Sequence, residues 1–337
     1  MPAARSRKVS SPRGDVEPAV IVTPEVSPQV SEFAWAALIG LSDTPRWLPC
    51  RFLYDAHGTE LFEKITLQPE YYLTRTEAAI LQRYAPDIHA VTGPVTLVEL
   101  GSGSSVKTDH LLRAYAAIGD VVYVPIDVSD TAIQLATERI GAEHDSVTVN
   151  GIVGTYEEAF RLVRDRSPSM VMFLGSTIGN FNQTESLTFW RRMWESLQGG
   201  DYFLLGVDLV KDVSIIEAAY NDAAGVTAEF TKNLFARMNR ELGSDIDLST
   251  IEHTSSFSTA WQRIETFTRF TETQTIHIRP LDAAIEIAAG DQIMMEISRK
   301  FVVSDLIRFL SGFGFTVRQV YTDEREWFAE VLLEKRA

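Results

Sequence analysis

Five short apolar runs, at 95–100, 121–126, 147–153, 169–175 and 202–209, alternate with stretches of helical spacing at about 105–117, 129–140, 156–165 and 184–198. That alternation admits few folds. Parallel strands need long crossovers, and a helix is the usual one, so the rhythm predicts an α/β, doubly wound (Rossmann-like) sheet. Ser129 and Thr184 are suited to cap two of the helices. Such sheets bind ligands outside the carboxyl ends of their strands. Here those ends are Gly101, Asp127, Gly154-Thr155-Tyr156, the turn from Gly175 to Asn180, and Asp208.

The first run ends directly in Gly101-Ser-Gly103, and helical spacing resumes with Leu111, Leu112 and Tyr115. Glycine permits positive φ and a close backbone approach to a ligand. A phosphate loop and a dinucleotide turn both want a small residue where Val106 stands. S-adenosylmethionine (SAM) carries no phosphate. It needs a glycine turn and an acid on the next strand for its ribose, and Asp127 occupies that place. Asp127 could equally cap the helix from 129. Lys107 is either a solvated lysine or the partner of a ligand carboxylate, since a cation is unfavourable at a helix start.

Composition removes other classes. The chain has 337 residues, a net charge of −15, one cysteine (Cys50) and six histidines, none paired at ligand spacing. Nucleic acid and anionic membrane are poor partners for so acidic a chain. A cysteine zinc site and an internal disulfide are excluded, and no metal is expected. No apolar run reaches the roughly 18 residues of a membrane span, and the basic N-terminus lacks the apolar core of a secretory signal. A cytoplasmic monomer is expected.

Residues 1–30, rich in Pro and Ser without period, read as a disordered tail, followed by a short helix at 31–42. Aromatics crowd 45–84: Trp47, Phe52, Tyr54, Phe62, Tyr71, Tyr72 and Tyr84. Such stripes usually form core, but adjacent Tyr71 and Tyr72 follow a Pro-Glu turn, where complete burial is harder and they could line a pocket. Neither Tyr71 nor Tyr220 has a periodic apolar neighbourhood that demands burial. A helix begins near Thr76-Glu77. The rhythm breaks at 210–300, with a helix at 228–242 and alternating runs at 263–279 and 285–287. A helix at 301–313 and strands at 315–321 and 326–334 close the chain, a closing hairpin expected of a SAM methyltransferase core, whose last strand inserts antiparallel. If 293–298 is extended, Met294, Glu296 and Ser298 share a face. Otherwise Glu296 and Lys300 form an exposed helical pair. Asn180 offers both donor and acceptor, or simply stabilises its turn.

Several stretches together resemble a family: Phe52-Leu-Tyr-Asp, Pro69-Glu-Tyr-Tyr-Leu-Thr-Arg-Thr-Glu, Val98-Glu-Leu-Gly-Ser-Gly-Ser-Ser-Val-Lys-Thr, Phe173-Leu-Gly-Ser-Thr-Ile-Gly-Asn, Asp208-Leu-Val-Lys-Asp, Tyr220-Asn-Asp-Ala-Ala-Gly-Val-Thr and Asn239-Arg-Glu-Leu. They are similar to the L-histidine Nα-methyltransferases of ergothioneine biosynthesis, in the same order from about residue 45 onward. The resemblance implies a class I SAM-methyltransferase core, 76–209 plus 301–337, and an α+β substrate lobe, 31–75 plus 210–300. It implies three SAM-dependent methylations of the histidine α-amine, giving hercynine. It places SAM at Gly101, Lys107, Asp127, Thr155 and Tyr156. It places the amino-acid end of the substrate at Tyr71, Gly175, Asn180 and Tyr220, with Tyr71 and Asn180 orienting the reacting nitrogen. The side chain would meet Glu296, Ile297 and Ser298, with Tyr54 lining the pocket. Two positions depart from the family. Thr155 replaces its usual Asp beside the adenine, and Thr266 replaces its usual Met in the side-chain wall. Thr266 keeps tryptophan open as an alternative substrate. A nicotinamide enzyme and a non-catalytic SAM-binding module are the more distant readings.

Overall fold

The computed structural model describes residues 28–103 and 105–336. Most of the expected tail, 1–27, lies outside these, and its last three residues already belong to the helix Pro28–Ser42. The main sheet has eight strands. From one edge its order is Phe315–Thr322, Phe328–Lys335, Tyr202–Asp208, Ser169–Phe173, Thr96–Leu100, Val121–Asp127 and Val147–Val149, with Ile152–Val153 also paired to Val121–Asp127. The five middle neighbours from Tyr202–Asp208 to Val147–Val149 run parallel. Phe328–Lys335 is inserted antiparallel, from Phe328 opposite Asp208 to Glu334 opposite Tyr202.

Each central strand is apolar on both faces. Leu97, Met170, Met172 and Leu204 enter one core cluster, while Val98, Val171, Phe173 and Leu205 enter the other. Helices therefore cover both sides, as a buried parallel sheet requires. The strand expected at 147–153 is split into Val147–Val149 and Ile152–Val153, both paired to Val121–Asp127. The helix expected from 105 starts at Asp109. That expected near Thr76 starts at Leu73. The cap expected at Thr184 is Asn182: its Oδ1 accepts from Glu185 N–H at 3.0 Å, and the Glu185 carboxylate accepts from Asn182 N–H at 2.8 Å. The reciprocal pair satisfies two orphan donors, which Thr184 cannot do.

A second, four-stranded sheet orders Arg46–Trp47, Gln292–Arg299, Arg263–Phe270 and Ile251–Ser258. The last of these was not expected, because Glu252 to Ser256 are all polar. It is an edge strand with buried Ile251 as its anchor. Helix Val226–Glu241 packs on it, and Phe230, Leu234 and Phe235 continue the core of the first cluster. The chain leaves the main sheet after Asp208 and returns at Phe301, where Phe301 N–H donates to Asp208 O at 2.8 Å. Exit and return thus lie side by side. Among the described residues no helix is long and apolar enough to cross a membrane.

Candidate active site

Gly101 and Gly103 both take positive φ, 67° and 50°. The Asp127 carboxylate at the end of the neighbouring strand accepts from Gly103 N–H and from Ser129 N–H, each at 2.9 Å. It therefore braces the turn and the next helix together, while Ser129 Oγ caps that helix from Ala132 N–H at 3.2 Å. A side chain at Gly103 would meet nothing within 4 Å, and one at Gly101 would stand 3.6 Å from the Tyr156 hydroxyl. The Tyr156 ring packs edge-on against Phe173 with centroids 5.4 Å apart. Thr155 is exposed, and its N–H and hydroxyl both donate to Glu158. Its oxygen keeps lone pairs with which to accept. An open glycine cradle, an adjacent carboxylate and an aromatic wall suit the ribose and base of SAM.

Lys107 precedes the helix rather than opening it. Its ammonium pairs with Glu77, fully buried in helix Leu73–Thr92, and Glu77 also accepts from Gly175 N–H. The ligand carboxylate sought for Lys107 thus has a counterpart inside the chain. Glu330, on the inserted strand, is equally buried, and Gly206 leaves the space beside both acids. Burial, with the neighbouring Glu77 charge added, pushes the Glu330 carboxyl well above the usual carboxylate range. Gly175 and Ser176 are consecutive residues at positive φ, 75° and 56°. Ser176 is a strained choice there, held because its Oγ accepts from Asp208 N–H at 2.9 Å.

The turn Thr177–Asn180 brings Asn180 to the second sheet, where its Nδ2 donates to Glu296 Oε1 at 3.1 Å. That bond replaces the turn-stabilising role open to Asn180. The approach is possible because Gly179 lacks a Cβ, which would lie 2.8 Å from Arg299 O and 3.1 Å from Arg299 N. Gly179→Ala is expected to lower stability by about 1–3 kcal/mol, the cost of overpacking against backbone. It should also part Asn180 from Glu296. A thermal melt measures the loss of stability.

Glu296 lies in the extended strand Gln292–Arg299, so the exposed helical pair with Lys300 does not form. The shared face is also different from the expected one. Met294 pairs with Phe267 but Glu296 pairs with Thr266, because a bulge at Met295 resets the alternation. Glu296 and Ser298 share a face, with Met294 on the other side. Ile297, opposite Glu265, likewise points away from them. Burial pushes the Glu296 carboxyl up to about 7, opposed by the Lys300 charge and the Asn180 hydrogen bond.

Tyr71 and Tyr220 are both buried, with ring centroids 6.3 Å apart. Tyr72 is buried too, so the expected difficulty of burying that pair is overcome by tertiary contacts. Tyr54 packs edge-on to Phe230 at 5.3 Å. Burial raises its phenol, and the nearby Glu296, Tyr71 and Tyr220 add to the rise. Thr266 is buried and shares a 2.7 Å hydrogen bond with Ser255. Tyr220 Oη and Ser298 Oγ are 2.8 Å apart.

Sequence reasoning gave Asp208 only as a strand end, Tyr72 only as a residue that could line a pocket and Lys300 only as a helical pair of Glu296, and gave Lys211 no role; the four form one buried network. Asp208 accepts from Tyr72 Oη at 2.8 Å and lies 2.8 Å from Lys300 Nζ, and Lys211 Nζ donates to Tyr72 Oη at 2.7 Å. The available signal was the spacing of Glu296, Ser298 and Lys300, every second residue. Elsewhere, Asp109, Glu143 and His144 gather within 4.8 Å, but Arg113 already pairs with both acids.

A parallel sheet with an inserted antiparallel strand, and a glycine turn braced by a carboxylate on the adjoining strand, define a SAM-dependent methyltransferase. The chain belongs to the SAM-dependent, histidine-specific methyltransferase family, whose profile matches residues 33–335. It is 40% identical over 285 residues to a histidine N-alpha-methyltransferase of Mycolicibacterium smegmatis, covering 84% of this chain and 89% of that one. Identity to the protein of the same description from Mycobacterium tuberculosis is 36% over 297 residues, 88% and 92% of the two chains. Ergothioneine biosynthesis protein 1 of Neurospora crassa is 33% identical over 207 residues, 60% of this chain and 24% of that one.

Proposed function

We propose that this chain methylates the α-amine of L-histidine three times, giving hercynine, as a step of ergothioneine biosynthesis. The observation that carries the reading is the Asn180–Glu296 contact. It joins the end of a core strand, beside the glycine cradle, to a carboxylate suited to an imidazole N–H. In this reading 76–209 with 301–337 hold SAM, and 31–75 with 210–300 hold the amino acid. Tyr71, Gly175, Asn180 and Tyr220 take its amino-acid end; Glu296 and Ser298 take its ring, with Tyr54 and Thr266 in the wall. Ile297 would contribute backbone only. A monomer working in the cytoplasm, with no metal, nucleic-acid or membrane partner, completes the proposal.

SAM supplies a methyl group already activated by its sulfonium. The chain's task is then chiefly orientation, which can be worth up to roughly 7–11 kcal/mol. Asn180 Nδ2 is engaged by Glu296, and its Oδ1 has no partner among the described residues. That oxygen can accept from an amine N–H and aim the nitrogen lone pair. The tyrosine faces of Tyr71 and Tyr220 favour the cation that accumulates as methyls are added. The amine proton passes to water or to the substrate carboxylate, and no residue is assigned as base.

Mass spectrometry of L-histidine, L-tryptophan and L-tyrosine, each incubated with protein and SAM, tests the reading. Gains of one, two and three methyls on histidine alone support it. Methylation of tryptophan instead would make Thr266 the specificity switch. SAM binding without transfer to any amino acid would leave a non-catalytic module.

A further inference from the structure

Lys300 is fully buried, just beyond the strand that carries Glu296 and Ser298. Its ammonium has three hydrogens and three acceptors: Ser298 Oγ at 3.0 Å, Tyr220 Oη at 2.9 Å and Asp208 Oδ2 at 2.8 Å. Ser298 Oγ and Tyr220 Oη are themselves 2.8 Å apart, so one hydroxyl hydrogen lies between them. Either oxygen can supply that hydrogen, and the more acidic phenol is the better donor. Ser298 Oγ then accepts twice, from Lys300 and from Tyr220, and both lone pairs are used. What it has left is a single O–H. Glu296, two residues earlier on the same face, offers lone pairs when ionised.

We infer that Lys300 is a specificity-determining positioning residue: it makes Ser298 a donor only, so that Glu296 and Ser298 together read a ring with one N–H and one unprotonated nitrogen. The inference rests on the histidine pocket proposed above. Asp208 is the counter-charge that keeps the ammonium in place, itself held by Tyr72 and Lys211. A ring lacking the second nitrogen leaves the Ser298 O–H buried and unpaired, which is costly. Without Lys300 the Tyr220 hydroxyl can rotate its hydrogen away and accept from Ser298 instead, and the discrimination is lost.

The test compares kcat/KM for L-histidine with that for pyrrol-2-yl- and pyrrol-3-yl-alanine, which keep one ring N–H and lack the second nitrogen. The unmodified protein should prefer histidine by roughly tenfold or more over the better isomer, the cost of one unpaired buried donor. Lys300→Met should reduce that preference to within about threefold, with SAM affinity unchanged. A purely structural role would lower both substrates alike, so an unchanged preference overturns the inference. If Lys300→Met no longer binds SAM, the double variant Asp208→Asn/Lys300→Met, which removes both buried charges, is read the same way. Absence of transfer to histidine by the unmodified protein would instead sink the pocket reading, and this inference with it.

Discussion

Replacing Asn180 by alanine should lower kcat/KM for histidine by roughly ten- to a hundredfold, the worth of a hydrogen bond to a charged group, about 1.5–3 kcal/mol. SAM affinity should stay within about twofold. Asn180 is the one residue of the proposed pocket that spans the two sheets, donating to Glu296 at 3.1 Å from the end of a core strand. Its loss removes the acceptor for the amine and one of the two influences that hold the Glu296 carboxyl down. Calorimetric SAM binding, read beside steady-state rates, separates this from damage to the fold. Parental kcat/KM in the variant would take Asn180 out of the mechanism.

Glu296→Gln should move two quantities in opposite directions. The KM for histidine should rise about tenfold, because an ionised acceptor is exchanged for a neutral one. Stability at alkaline pH should increase. Burial raises this carboxyl from 4.5 to about 7 in the folded chain. Between those values the folded state holds a proton that the unfolded state has released, so stability falls as pH rises through the window. Glutamine removes that loss. The variant should therefore gain roughly 1–3 kcal/mol over its parent at pH 8 and almost nothing at pH 4. Denaturant melts at the two pH values measure the difference. An equal gain at both would mean that Glu296 is solvated and ionises normally in the fold.

The core was legible because a sheet covered on both faces writes itself as unbroken apolar runs, such as 169–175 and 202–209. The polar edge strand Ile251–Ser258 has no such run and escaped notice. The resemblance named Asn180, Glu296, Tyr220 and Ser298, and the structure sets them in two hydrogen-bonded pairs. That Glu296 and Ser298 share a face was legible; that Met294 does not share it was not, because a bulge at Met295 leaves no mark in a sequence of alternating residues. Nor was the burial of Tyr71 and Tyr220, which depends on packing between distant segments. For Lys300 the every-second-residue spacing was a signal, but its partner Tyr220, 80 residues away, was not legible.

The inserted strand has a consequence for how the chain is made. Phe328–Lys335 sits inside the sheet, yet it leaves the ribosome after every strand it helps to enclose. Until then Tyr202–Asp208 presents an open edge, and Glu77 lacks the buried carboxyl neighbour it has in the finished fold. Synthesis at about 5–20 residues per second leaves that edge bare for on the order of ten seconds. A long apolar edge is a template for pairing with another chain. The nascent protein therefore carries an exposed edge while residues 209–327 are made, for a time set by chain order and not by the stability of the completed enzyme.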